Sequence, residues 1–147
     1  MDIKNAAFFF TAYRKLLRSY TDFQMSALED YELSPNEIVV LASLDNVTTA
    51  SEIAADADVS KALVSRSVKL LKEKDFITTT ISEIDKREQA LALTKKGETV
   101  AALIDQANRR FFATSFANFE ENEKLVLEAL LKMMLNNLNI GGIDDNG

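Results

Sequence analysis

The sequence has 147 residues, 17 Lys/Arg against 23 Asp/Glu for a net charge of −6, one Pro, four Gly, and neither Cys nor His. That is one domain's length of chain, with a globular balance of 47% hydrophobic and 27% charged residues and too few turn formers to be other than largely helical. The missing Cys and His exclude disulfides, a thiol switch and a Cys/His zinc site, and they remove the commonest general base and activated nucleophile. No acidic cluster has EF-hand spacing and no Gly-rich loop could cradle phosphate, so no catalytic residue, metal ligand or cofactor is expected. No apolar run approaches the roughly 18 residues that span a bilayer. The opening residues lack the pattern of a secretory leader, so the expected compartment is the cytoplasm and no membrane partner is expected.

A long helix without a breaker is predicted from Asp2 to about Leu28. Apolar residues recur at sevenfold spacing in Ile3/Phe10/Leu17, Ala6/Tyr13/Tyr20 and Phe9/Leu16/Phe23, which favours packing against partner helices. The run Phe8-Phe9-Phe10 spreads aromatics around the circumference, as suits a helix wedged between its own domain and a second subunit. A buried core helix of a monomer is the alternative. Ser34-Pro35-Asn36-Glu37 is a helix start, with a cap, a Pro at the first position and an acid that closes a capping box. The helix it opens carries the apolar stretch from Ile38 to Leu44 and ends near Asp45-Asn46. Thr49-Ala50-Ser51-Glu52 repeats the capping logic for a brief helix over residues 51–56, and Ala57-Asp58-Val59 forms a tight turn before the next cap, Ser60.

The stretch SKALVSRSVKLLKEK, residues 60–74, follows. At about 100° per residue, Leu63, Val64, Ser67, Val68, Leu70 and Leu71 fall on one side. Lys61, Ala62, Ser65, Arg66, Lys69 and Lys72 fall on the opposite arc, a group with no acid in it. A helix that buries the first face and offers the second suits a DNA major groove, where Arg and Lys reach guanine edges or phosphates and Ala lets the backbone come close. An ordinary amphipathic helix with a solvated basic face fits the same pattern, so context decides. Residues 60–96 hold nine basic against five acidic residues, a net +4 inside a remainder of −10, which is the electrostatic footprint of a local anion-binding surface.

Phe76 to Ser82 alternates as a half-buried strand, as do Gln89, Leu91 and Leu93, and the charged tip EIDKRE between them forms a β-wing. Lys86 and Arg87 are placed to reach phosphates or a minor groove, and Asp85 to pair with a nearby Arg and stabilise the wing. Thr94 caps a helix to about Phe116 with Val100, Leu103, Ile104, Ala107 and Phe111 in one stripe. Asn118-Phe119-Glu120-Glu121 opens a last helix carrying Leu127, Leu131, Met134 and Leu138. Residues 141–147 are polar and Gly-rich, consistent with fraying.

The LSPNE start, the ASEIA–SKALVSRSVKLLKEKDFI helix-turn-helix, the Asp85-Lys86-Arg87 wing and the LALTKKG stretch together resemble the MarR (multiple antibiotic resistance regulator) family of winged-helix transcription factors. Asp75 departs from the pattern, standing where relatives usually carry Gly. The resemblance implies a mainly α fold with a small β-wing, a winged helix-turn-helix domain flanked by N- and C-terminal dimerisation helices. Residues 1–147 would form a single domain, with the winged-helix part at about 33–93, dimerisation helices at about 2–28 and 95–139, and a flexible tail at 140–147. It implies a sequence-specific regulator, a repressor binding a pseudo-palindromic stretch of double-stranded DNA as a homodimer. Ser60, Lys61, Ala62, Ser65, Arg66, Lys69 and Lys72 would meet DNA with Lys86 and Arg87, while the helix N-termini at Ser34 and Thr49 would donate backbone N–H groups to phosphates. Relatives often respond to small phenolic or lipophilic anions. Phe10, Tyr13, Arg14 and Leu17 with Ile38 and Leu41 are the expected pocket, although dimer-core packing accounts for the same residues. The competing reading is a winged-helix protein-interaction module without useful DNA binding.

Overall fold

The computed structural model of the chain describes residues 3–44, 48–81 and 87–140. Two compact units divide it, Met1–Phe111 and Phe112–Gly147. In chain order the elements are α1 (Ile3–Ala27), a 3-10 turn (Glu29–Tyr31), α2 (Pro35–Ser43), α3 (Ala50–Asp56), α4 (Lys61–Glu73), β1 (Ile77–Ile81), β2 (Gln89–Leu93), α5 (Lys95–Ser115) and α6 (Glu121–Asn137). The predicted helices and the two strands are present, within a residue or two at each described end, and the 3-10 turn is the addition, while the wing tip at 82–86 and the tail at 141–147 lie outside the described residues. No helix among the described residues is long and apolar enough to cross a membrane.

Local chemistry sets the boundaries. Ser34 and Thr49 both form complete capping boxes, with Glu37 and Glu52 as the returning acids. Ser60 caps α4 by accepting the Leu63 amide at 3.2 Å. The α3–α4 turn has no Gly, and Asp58 takes the left-handed conformation with φ 52°. Asp is among the few side chains that tolerate this region. Asp75 does the same after α4 with φ 64°, which explains why an acid can stand at a position that suits Gly. A further cap, Thr94, accepts the Gly97 amide at 3.0 Å and donates to the Asp75 carbonyl at 2.7 Å, fastening α5 to the end of α4.

The core of the first unit gathers Leu28, Leu33, Ile38, Val40, Leu41, Ile53, Val64, Leu71, Phe76, Ile77, Leu91, Val100 and Ile104. These come from α2, α3, α4, both strands, α5 and the segments that join them, so α4 is packed from several sides. The inner face of α4 is Val64, Ser67 and Leu71. Leu70, predicted to share that face, is instead exposed, because at about 100° per residue it sits only about 40° from Arg66, on the edge of the outer arc. The antiparallel pair β1–β2 runs in register from Ile77 opposite Leu93 to Ile81 opposite Gln89. Its root is buried, whereas Ile81 at the far end is 72% exposed, so the wing leaves the core as it extends.

One buried charge is built into this packing. Glu37 is 2% exposed. Its Oε1 accepts from Lys74 Nζ at 2.7 Å and its Oε2 from the Ser34 amide at 2.9 Å. Lys74 also donates to the Glu32 carbonyl at 2.9 Å. Burial alone pushes the Glu37 carboxyl upward. The Lys74 hydrogen bond and the Ser34 backbone and hydroxyl donors override it and hold the group below the ordinary carboxylate value.

In the second unit, α6 buries no residue. Its Leu125, Val126, Leu127, Leu130, Leu131, Met133 and Met134 are all exposed, as is Leu138 just beyond it. An isolated helix of this length is marginal in water. The N-terminal half of α1 likewise exposes Phe8, Phe9, Phe10, Tyr13, Leu16 and Leu17.

Two stability tests follow from this packing. A Cβ on Gly97 would stand 2.0 Å from the Phe76 carbonyl oxygen, a backbone atom. Gly97→Ala is therefore expected to destabilise the chain by roughly 2–4 kcal/mol in urea unfolding, and a loss under about 0.5 kcal/mol would contradict the close approach. For Glu37, a folded-state pKa lower than the unfolded one contributes stability above the unfolded pKa and loses it as pH falls through the folded one. Glu37→Gln should cost about 2 kcal/mol at pH 7. The gap to wild type should shrink as pH drops below about 4.5, and a gap that widens in acid would refute the assignment.

Candidate nucleic-acid interface

The outer arc of α4 and the base of the wing enclose an open cleft of about 540 Å3. Its cations are Lys61, Lys69, Lys72 and Arg87, its floor is Ala50, Val68 and Leu91, and Ser65 and Gln89 add neutral polar groups. The burial of Val64, Ser67 and Leu71 determines which residues α4 turns outward. Lys61, Ala62, Ser65, Arg66, Lys69 and Lys72 are accordingly all exposed. The side chains of Ser65, Arg66 and Lys69 make no hydrogen bond or ion pair among the described residues, so their donors are available to an incoming ligand.

Other members of the expected set are partly engaged. Lys72 Nζ donates to Thr79 Oγ1 at 2.9 Å, tying α4 to β1. Lys61 Nζ lies 3.7 Å from Glu88 Oε1, an oxygen that also accepts from Ser51 Oγ. The Ser60 hydroxyl caps α4 while the residue stays exposed. Arg87 is exposed in the cleft. Asp85 and Lys86, the wing-stabilising and second wing residues of the sequence reading, lie outside the described residues.

Two expectations need correction, and a third, phosphate binding at the N-termini of α2 and α3, is narrowed. Ser34 and Thr49 do not have their own amides to offer phosphate. Each is donated to the capping-box carboxylate, at 2.9 Å to Glu37 and 3.0 Å to Glu52, and Thr49 is buried. The α4 arc also carries an acid that the sequence grouping left out. Glu73, seven residues beyond Arg66, points to nearly the same side and lines the cleft with Lys69. Finally, Ile38 and Leu41, expected to line an effector pocket, are 1% and 0% exposed and sealed in the core, because the apolar face of α2 is the surface on which the winged domain packs. Phe10, Tyr13, Arg14 and Leu17 are exposed on α1.

Sequence reasoning missed Glu88 and Lys74 as structural partners. Each meets its counterpart, Ser51 or Glu37, across 37 residues of chain, and no local spacing announces such a pair. Among the described residues no group of three His, Cys, Asp or Glu is placed to hold a metal ion.

No family model matches the chain. It is 30% identical to the uncharacterized HTH-type transcriptional regulator YdcH of Bacillus subtilis over 116 residues, covering 72% of this chain and 78% of that protein. A crystal structure of a MarR transcriptional regulator from Methanosarcina mazei superposes with a TM-score of 0.76 at 18% identity, covering 92% of this chain and 99% of the other. Bordetella bronchiseptica BpsR, whose DNA binding is regulated by 6-hydroxynicotinic acid, superposes with a TM-score of 0.68 at 17% identity over 84% of this chain and 90% of BpsR. At these identities the two structures speak to the fold, a winged helix-turn-helix.

Proposed function

The chain belongs to the MarR family of winged helix-turn-helix transcriptional regulators, and on that premise we propose that it acts in the cytoplasm as a repressor, two copies binding one pseudo-palindromic operator. The observation that carries the DNA reading is the outer arc of α4, where Ser65, Arg66 and Lys69 stand exposed with no partner among the described residues. Arg66 reads a base edge, and Lys61, at the first position of the helix, meets a phosphate or a neighbouring base edge. Lys69 and Lys72 neutralise phosphate, and Arg87, with Lys86, follows the flanking backbone or minor groove. Ser60 and Ala62 let the start of the helix approach closely.

The homodimer is supported by the exposed apolar side chains of α1 and of α6, which exceed what a monomeric soluble protein ordinarily leaves to water. A two-fold pair would present two copies of α4 to half-sites about 34–36 Å apart or a multiple of that distance. Release by a small aromatic or lipophilic anion is supported by the structural likeness to BpsR. Phe10, Tyr13, Arg14 and Leu17 supply the ring, the cation and the apolar surface for such an anion. It would have to bind one dimer geometry better than another.

Fluorescence-anisotropy titrations against the DNA upstream of the chain's own gene and a scrambled duplex test the DNA reading. Arg66→Ala should weaken operator binding by about 1–3 kcal/mol and relax its specificity, while Lys69→Ala should weaken both duplexes alike and flatten the salt dependence by about one unit of slope. Wild-type protein that binds neither duplex at low salt would defeat this reading and favour a protein-interaction module. For the assembly, sedimentation should give a dimer that Leu127→Glu converts to monomer, and a wild-type monomer at micromolar concentration would contradict it.

A further inference from the structure

Glu88 is the residue immediately before β2, and its carboxylate reaches back to both helices of the helix-turn-helix. Oε1 accepts from Ser51 Oγ in the first turn of α3 and lies 3.7 Å from Nζ of Lys61, the first residue of α4. The Glu88 side chain is 31% exposed and that of Lys61 66%. The hydroxyl therefore fixes the acceptor, and the more mobile ammonium comes to it. Lys61 is the cation nearest the N-terminal end of α4, the end by which a recognition helix meets base edges. The wing thus brings a second acid, after Glu73 of α4, into a cleft whose cations are Lys61, Lys69, Lys72 and Arg87.

We infer that Glu88 is a positioning residue that acts through Lys61, holding its ammonium at the wing base and withholding part of its charge from DNA, so that DNA affinity is set below what the basic face of α4 alone would give. The inference rests on the DNA-binding reading above. A phosphate approaching Lys61 must compete with a carboxylate already beside it. If the ammonium leaves for the phosphate, Glu88 recruits a counter-ion from solution, and fewer ions are released on net. An exposed pair of this length is weak, so the effect is modest, about two- to five-fold in affinity.

Glu88→Gln tests this cleanly, because the amide keeps the side chain's shape and an acceptor for Ser51 while removing the charge. Anisotropy titrations of the full chain, at several salt concentrations, are run on an operator duplex and a scrambled one. The expected result is about two- to five-fold tighter binding to both, with a log K against log salt slope steeper by roughly one. A merely structural role would not move that slope. In a Lys61→Gln background the same substitution should gain nothing. Unchanged or weaker binding by Glu88→Gln, or a gain that survives without Lys61, overturns the inference. Arg66→Ala and Lys69→Ala run alongside separate the two levels. If they weaken binding while Glu88→Gln does nothing, only this inference falls. If neither they nor Glu88→Gln has any effect, the DNA reading falls and the inference with it.

Discussion

A carboxylate as deeply buried as Glu37 persists only because Lys74 reaches it from the end of α4 while the Ser34 amide meets its other oxygen. The same ammonium holds the Glu32 carbonyl, so one cation joins the chain entering α2, the start of α2 and the last turn of the recognition helix. The next residues extend the fastening. Lys96 donates to the Lys74 carbonyl at 2.9 Å and lies 4.3 Å above the Phe76 ring. Thr94 holds the Asp75 carbonyl, and Gly97 lets α5 approach the Phe76 carbonyl to a distance no side chain permits. The C-terminal end of α4 is therefore fixed by charge, hydrogen bonds and close backbone contact at once.

With that end fixed and Val64, Ser67 and Leu71 buried, α4 has one rotation available, and its polar arc must face outward. This rotation turns a pattern of side chains into a surface. The fixed inner face decides where the cations stand. Their partners decide how much of each charge is available: Lys72 is shared with Thr79 and Lys61 with Glu88, while Arg66 and Lys69 are uncommitted among the described residues. The affinity of such a face for a polyanion depends less on how many cations it carries than on how many are already engaged.

The parts legible in the sequence are those governed by neighbours in the chain. Ser34 with Glu37 and Thr49 with Glu52 lie three residues apart, and their capping boxes form as the spacing dictates. The buried stripe Val100, Ile104 and Ala107 follows from helical periodicity. Asp58 and Asp75 could be placed at turns, although only the backbone shows that both are left-handed. Whatever depends on tertiary approach was invisible, including the pairing of Glu37 with Lys74 and the arrival of Glu88 beside Lys61. Periodicity blurs at the edge of an arc, which is why spacing alone groups Leu70 with the inner face, whereas the same spacing sets Glu73 beside Arg66 on the outer arc. The capping boxes carried a further consequence that their own spacing implied. A carboxylate that satisfies a helix N-terminus also occupies an amide otherwise open to phosphate, as at Ser34 and Thr49.

The central claim is that the outer face of α4 enters DNA, and the absence of native cysteine makes a direct measurement practical. Ala62→Cys places a unique thiol on the exposed arc for attachment of a DNA-cleaving iron chelate, and the cuts in bound operator are mapped on both strands. The account predicts two clusters of cleavage, one per half-site, centred about one helical turn or a multiple of it apart. Uniform background cleavage, despite tight binding of the labelled protein, would show that DNA meets some other surface and would contradict the account.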